Sequence, residues 1–545
     1  TRNSFQIGTG LQLIDGTIPD FNLNFNTSIV TDNSKSGLFL FGTKRNRQAF
    51  DANNDGFSEI AMLKNNSIGF SGFHKITDKI TLSLDFHSLN EFRRGGNDFN
   101  KLPHLTDITE QIEHEIIGGG INFDYKSKDY KTKFAVFASG QFTNRDSYYG
   151  AEKDPAAYGL TKDFSQVTGV QFSHKFDHLL FAPVKIVVGA ENVYSKLTDT
   201  KLGFYDEELG AYQEDRLLVN QELFTPGTYA QTEWDFKIIK LLIGARYDVP
   251  DKRLDISPVF MPRANALIKL GNLTKIRLSY AKGYRAPQIF DEDLHIESSA
   301  ARKLIHKHSD NLTAEISNSL SGSLDFTKNF NNVQTYFLAE YFYTKLENPF
   351  SNEFIFDLTT KELTLLKTNA TSGAWVKGIN FEAKIAFSSS IEFQMGGTVQ
   401  KSQYVDGQAW GDNELYSTKD FTRTPNQYGY FVAYYKPFKS TNIAFTGNYT
   451  GSMLIPHLAG GNDADGNLIT DDELLVTNPF YDFGFSISQN FNISDETKIE
   501  LSGGIKNIFN SYQNDFDSGK YRDAGFIYGP ILPRTFILSI KIGSR

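Results

Sequence analysis

Two segments near the C-terminus, Lys498-Ile499-Glu500-Leu501-Ser502-Gly503-Gly504-Ile505-Lys506 and Phe536-Ile537-Leu538-Ser539-Ile540-Lys541-Ile542-Gly543, decide how the chain is read. In the first, Ile499, Leu501 and Ile505 alternate with Lys498, Glu500, Ser502 and Lys506. In the second, Phe536, Leu538, Ile540 and Ile542 share one face, with Ser539, Lys541 and Gly543 on the other. A period of two marks a β-strand with one apolar and one polar face. A soluble sandwich buries the apolar face. A membrane barrel turns it to lipid and keeps polar groups and water inside. The local pattern is the same in both, so length and strand count must separate them.

The chain has 545 residues, yet no Pro- or Ser-rich linker divides it, and the alternating segment recurs from end to end. It therefore reads as one domain over residues 1–545. Mean hydropathy is -0.36, and no apolar run is long enough for a transmembrane helix. A barrel needs apolar residues only at every second position, so that composition suits it. Aromatics reach 14% of residues, with 47 Phe and 26 Tyr, an excess that interfacial girdles would absorb. Cysteine is absent, which excludes a disulfide framework, a thiolate metal site and a Cys nucleophile. A net charge of -9 argues against a nucleic-acid partner.

Alternation and turn residues place strands near 4–12, 20–30, 36–45, 67–76, 80–89, 115–125, 130–143, 165–176, 183–195, 222–235 and 237–248. They continue near 257–270, 274–284, 314–328, 333–345, 372–387, 391–402, 426–437, 441–451, 480–491, 497–508 and 532–543. The class is all-β: a transmembrane antiparallel barrel of about 22 strands, the size of plugged outer-membrane transporters. Short connections such as Thr77-Asp78-Lys79 and Gly271-Asn272-Leu273 alternate with long polar ones such as 46–66, 90–114 and 285–313. Outer-membrane barrels show this alternation as short periplasmic turns and longer extracellular loops. An even strand count leaves both termini in the periplasm. In the eleventh strand Ile239, Leu241, Ile243, Ala245 and Tyr247 are expected to face lipid, with Lys240, Gly244 and Arg246 inside. In the fifteenth, Phe337, Ala339, Tyr341 and Tyr343 face lipid, opposite Gln334 and Glu340. A Lys or Arg at the midplane of the lipid face costs roughly 2–4 kcal/mol, so charges belong in the lumen.

Five segments then carry a resemblance. Gly283-Tyr284-Arg285-Ala286-Pro287 closes one strand, and Asp310-Asn311-Leu312-Thr313-Ala314-Glu315 opens the next. Gly504-Ile505-Lys506-Asn507-Ile508-Phe509-Asn510, Tyr528-Gly529-Pro530 and Pro533-Arg534-Thr535-Phe536 follow near the end. In this order the chain resembles the barrel of TonB-dependent outer-membrane receptors. Two prolines of the family's second motif are replaced by Asp310 and Ala314, which leaves the shape of that junction open. The resemblance implies a plug domain upstream of Thr1 that carries the TonB-binding box. It further implies coupling to TonB–ExbB–ExbD through that plug, contact with outer-membrane lipid and lipopolysaccharide, and a surface lipoprotein that hands over ligand. The ligand class it implies is a scarce small molecule or chelate: an iron-siderophore complex, cobalamin, haem or an oligomeric nutrient. The alternative is a passive channel or a scaffold for partner proteins.

Candidate site residues come from the long loops. Asp51, Asn53 and Asp55 precede Gly56 with the spacing of the first half of a calcium loop, and Glu59 adds a carboxylate. His295, His306 and His308 lie between the first two family motifs, beside Arg302, Lys303 and Lys307. They suggest either an axial haem ligand or attraction of an anion. Arg93, Arg94, Arg285 and Trp410, with Tyr148, Tyr149, Phe204, Tyr205 and Tyr212, are read as lining a ligand mouth. Asp85 and His87 alternate on one strand, but no Ser on a strained turn accompanies them, so no catalytic set emerges.

Overall fold

The computed structural model describes residues 3–544 except 208, 289–303, 357–362, 371, 411–416, 458–462 and 524–525. Twenty-two strands form a closed antiparallel barrel. In chain order they are β1 (Ser4–Ile14), β2 (Ile18–Val30), β3 (Ser36–Arg47), β4 (Ser58–Lys75), β5 (Ile80–Gly96), β6 (Ile108–Lys126), β7 (Thr132–Ala151) and β8 (Tyr158–Leu179). Next come β9 (Ala182–Lys201), β10 (Arg216–Asp235), β11 (Ile239–Asp248), β12 (Val259–Leu270), β13 (Thr274–Arg285), β14 (Glu315–Phe330) and β15 (Val333–Glu347). The rest are β16 (Ala374–Ser388), β17 (Ile391–Ala409), β18 (Gln427–Phe438), β19 (Thr441–Thr450), β20 (Phe480–Asn492), β21 (Thr497–Lys506) and β22 (Thr535–Ser544). Each pairs with the next, and β1 pairs with β22 from Ile14↔Thr535 to Gln6↔Gly543. The short strand Ser417–Asp420 joins the same sheet only at the loop end of β17. No helix among the described residues is long and apolar enough to cross a membrane. The crossing is made by strands.

All 22 sequence-predicted strands have a counterpart in the wall, and the quoted segments are β21 and β22. The difference lies at the loop ends. The alternation of β5 is lost near residue 89, yet the strand continues to Gly96; β4 begins at Ser58 rather than 67, and β7 reaches Ala151 rather than 143. Past the lipid both faces are wet, so the period-two signal fades while the hydrogen-bond ladder continues. Arg93, Arg94, Tyr148 and Tyr149, expected in loops, therefore stand on strands. Phe204, Tyr205 and Tyr212 form a small hairpin of their own.

The two faces sort as the alternation requires. Outward-facing Ile68, Ile117 and Leu538 are more than half exposed, and Phe70 stacks on Phe86 across β4 and β5 at 5.8 Å. Inside, charges are paired: Lys541 with Glu500 at 3.0 Å, Arg45 with Asp20 at 2.6 Å, Lys384 with Glu392 at 2.8 Å. Arg246 bonds Glu191 and Asp248 from the lumen face of β11, opposite the exposed Ile239, Ile243 and Tyr247. Glycines in the wall allow close approach: a Cβ at Gly119 in β6 would sit 2.5 Å from the Asp85 carbonyl oxygen. Buried apolar clusters lie under the loops, where Ile14, Phe50 and Ile60 form one and Met453, Ile455 and Phe526 another.

Candidate functional site at the barrel mouth

Arg285 ends β13 directly opposite Glu315, the first residue of β14. A Glu315 carboxylate oxygen accepts the backbone N–H of Phe350 at 3.1 Å. That bond holds the Phe350 ring 5.5 Å from the Arg285 guanidinium carbon. Lys367 approaches the same ring at 5.9 Å. Lys367 stands in register with His308, because Leu304–His308 pairs in parallel with Leu363–Asn369, which pairs antiparallel with Phe350–Phe356. A cation over a ring at an accessible site contributes about 0.5–1 kcal/mol, enough to help orient these two side chains. Below them, the lumen face of β11–β13 presents Arg246, Arg263 and Arg277. Arg277 lies 3.5 Å from Asp325 and Arg263 hydrogen-bonds Gln231. Guanidinium groups match planar, delocalised anions in a fixed fork. Here Arg246 meets Glu191 and Asp248, Arg277 meets Asp325 and Arg263 meets Gln231, so the sector is a ladder of partnered arginines running inward from the mouth.

Across the mouth, the first and last long loops are tied together. Arg522 donates to Glu59 Oε1 at 2.6 Å and also to Asp55, and its guanidinium lies 5.1 Å from the Phe57 ring. The Glu59 side chain is 0% exposed. Its other oxygen accepts the Ala52 N–H at 2.6 Å. Burial pushes the Glu59 carboxyl above its ordinary value despite the Ala52 and Arg522 bonds. Asp51 accepts from the Gly56 N–H at 2.8 Å, and Asp55 accepts from Phe57 and from Gly519. The calcium-loop candidates Asp51, Asn53, Asp55 and Glu59 thus face N–H donors and a guanidinium. Among the described residues no group of three or more His, Asp or Glu side chains converges as a metal site.

Beside this knot His457 donates from Nε2 to the Asp517 carboxylate at 2.9 Å and stacks on Phe526 at 3.7 Å. Burial pulls the imidazole down. The Asp517 hydrogen bond and the charges of Asp517, Asp523 and Glu473 outweigh that and hold it above its ordinary value. Asn507 organises the last loop: it adopts φ 47°, which Asn tolerates, and its amide donates to Ser511 O and Leu532 O at 3.1 and 2.9 Å. Arg534 then donates from its backbone to Asn510 at 2.7 Å. The closing family motif is, physically, a loop anchor.

The expected mouth residues fall in separate places. Arg93 faces the lumen and pairs with Glu91 at 2.8 Å. Its neighbour Arg94 shares the outer face with Leu84 and Phe86, is 6% exposed, and is roofed by Asp98 and Phe99. Burial draws its guanidinium below the ordinary value. Trp410 follows the end of β17. His295 lies outside the described residues, and of His306 only the backbone is described. Phe350, Lys367, Arg522 and His457 are absent from the sequence-based set. Arg522 is 463 positions from Glu59, and no local pattern signals such a pair.

A closed barrel of 22 strands with an apolar outer belt and a charged lumen defines an integral outer-membrane protein. Within that class, the family model "TonB dependent receptor-like, beta-barrel" matches residues 12–508, and the chain belongs to this family. No curated relative matches the sequence. Among solved structures it is similar to the siderophore receptor PirA from Acinetobacter baumannii, at 14% identity and TM-score 0.72, covering 100% of this chain and 80% of that one. It is also similar to a variant of the ferric enterobactin receptor PfeA from Pseudomonas aeruginosa in complex with enterobactin, at 12% and 0.74, covering 100% and 81%. The outer membrane transporter YddB from Escherichia coli gives 14% and 0.71, covering 100% and 81%. At these identities the likeness establishes the fold.

Proposed function

We propose that the chain is the barrel of an energised importer for an anionic metal chelate of the siderophore class. The carrying observation is the row of cationic side chains: Arg285 and Lys367 on the Phe350 ring at the mouth, continued by Arg246, Arg263 and Arg277, each held by a wall carboxylate or amide, down one sector of the lumen. An anionic chelate that takes the place of a wall carboxylate meets guanidinium groups already held in position, and their planar forks suit its oxygens. The names of the structural neighbours PirA and PfeA point to the same class. The barrel does no chemistry on its cargo; it binds and provides passage, with energy delivered through TonB.

The test is uptake of radiolabelled ferric chelates by cells carrying or lacking the gene, with the proton gradient intact or collapsed. Gene-dependent, gradient-dependent uptake of at least one anionic chelate is expected, and Arg285→Ala with Lys367→Ala should weaken binding by about tenfold. Unchanged uptake across catecholate, hydroxamate and carboxylate chelates would remove the assignment.

A further inference from the structure

The outer face of β13–β17 changes character within two rows of residues. The row Leu278↔Gly322↔Tyr341↔Ile379↔Val399 is apolar, and its four side chains are all more than half exposed. The next row toward the mouth is Tyr280↔Leu320↔Tyr343↔Lys377↔Lys401, and the one above it is Lys282↔Asn318↔Lys345↔Trp375↔Gln403. Four lysines thus stand just above the lipid belt, interleaved with Tyr280, Tyr343 and Trp375. Aromatics of this kind mark the level of the headgroups.

Lys377 and Lys401 face each other directly across two strands. Like charges in that relation destabilise a sheet, and among the described residues neither lysine has a carboxylate in ion-pair range. Lys377 lies instead over the Trp375 ring at 4.4 Å. Lys345 pairs with Glu347 at 3.3 Å, and Asp420 accepts from Gln403 at 2.8 Å. The concentration of lysine is local: at the same level β6 and β7 present Glu113, Glu115 and Asp146 outward.

We propose that this row is a docking site for the phosphate groups of an outer-leaflet lipid, lipopolysaccharide in this membrane, with Lys377 and Lys401 sharing one phosphate and Lys282 and Lys345 beside it. A phosphate between the opposed ammonium groups turns their repulsion into two charge-assisted hydrogen bonds. The aromatic and apolar rows beneath receive the acyl chains. The site is on the outside of the barrel and is independent of what passes through it.

The test is native mass spectrometry of the detergent-solubilised barrel titrated with lipid A, with enzymatically dephosphorylated lipid A, and with inorganic phosphate. Wild-type protein should retain phosphorylated lipid A alone. Replacing all four lysines by Gln should weaken retention by about 600-fold, taking about fivefold per lysine near a charged lipid surface. A variant at another basic spot on the outer face, Lys44→Gln with Lys64→Gln, should bind as wild type. Folding is read independently from heat-modifiable gel mobility. Should the fourfold variant fail that check, Lys377→Gln with Lys401→Gln is measured beside the Lys→Arg pair, which should restore binding. Equal retention by wild type and folded variant, capture of dephosphorylated lipid, or equal binding of inorganic phosphate would overturn the proposal.

Discussion

Replacing Arg522 by Met removes the cation that joins the first and last long loops while keeping much of the side-chain volume. Glu59, with no exposed side-chain surface, would then stay as a carboxylate facing apolar neighbours, and Asp55, 15% exposed, would lose the same partner. Breaking one partner out of a buried pair costs roughly 3–5 kcal/mol. That is about a hundred- to five-thousand-fold in the equilibrium between closed and open loops. Glu59→Gln is milder: it keeps an oxygen for the Ala52 N–H and leaves Arg522 on Asp55, so about 1 kcal/mol is expected. The double variant leaves only the partly exposed Asp55 without its cation, still bonded by the Phe57 and Gly519 N–H groups, and should fall well short of the sum, with a coupling of about 2 kcal/mol or more. The readout is hydrogen–deuterium exchange at the amides of Ala52, Gly56 and Gly519, whose N–H groups bond Glu59, Asp51 and Asp55. An acceleration below about tenfold in Arg522→Met, or strict additivity in the double variant, would refute the stranded-charge reasoning.

Three further outcomes follow from the same structure. Ile540→Arg on the lipid face of β22 should lower folding stability in vesicles by about 2–4 kcal/mol, whereas Ser539→Arg, one residue away but facing the lumen, should cost far less; equal costs would invert the facing. His457 has a raised value in the folded loop, so its stabilising contribution is complete below about 6.5 and disappears as pH rises through the folded value. Exchange around residues 454–457 and 517–523, corrected for intrinsic rates, should therefore quicken between acid and mildly alkaline pH in wild type and not in His457→Asn. Asn507→Ala removes two amide donors and the acceptor for the Ser511 N–H, and should expose the loop after β21 to protease, at a cost of about 1–3 kcal/mol; unchanged cleavage would show that the anchor lies elsewhere.

The membrane architecture was legible because lipid imposes a rule on every second residue: each of the 22 wall strands, the facing of β11 and β15 and the alternation of turns and loops follow from it. Above the lipid that rule lapses, and strand ends such as Arg93–Gly96 and Ser147–Ala151 look like loop until the ladder is seen. The mouth was legible only in part. Arg285 is found through a motif, but the Phe350 ring that orients it and the Lys367 that joins it come from segments brought together by loop pairing. The Asp51–Glu59 stretch shows the same limit. Its spacing announces a cation and cannot say which, and the tertiary structure supplies a guanidinium from the far end of the chain. The lysines of β13–β17 are scattered through the sequence and become one row only through strand register. Side-chain alternation is local and readable along the chain, whereas register and loop packing set which distant charges meet.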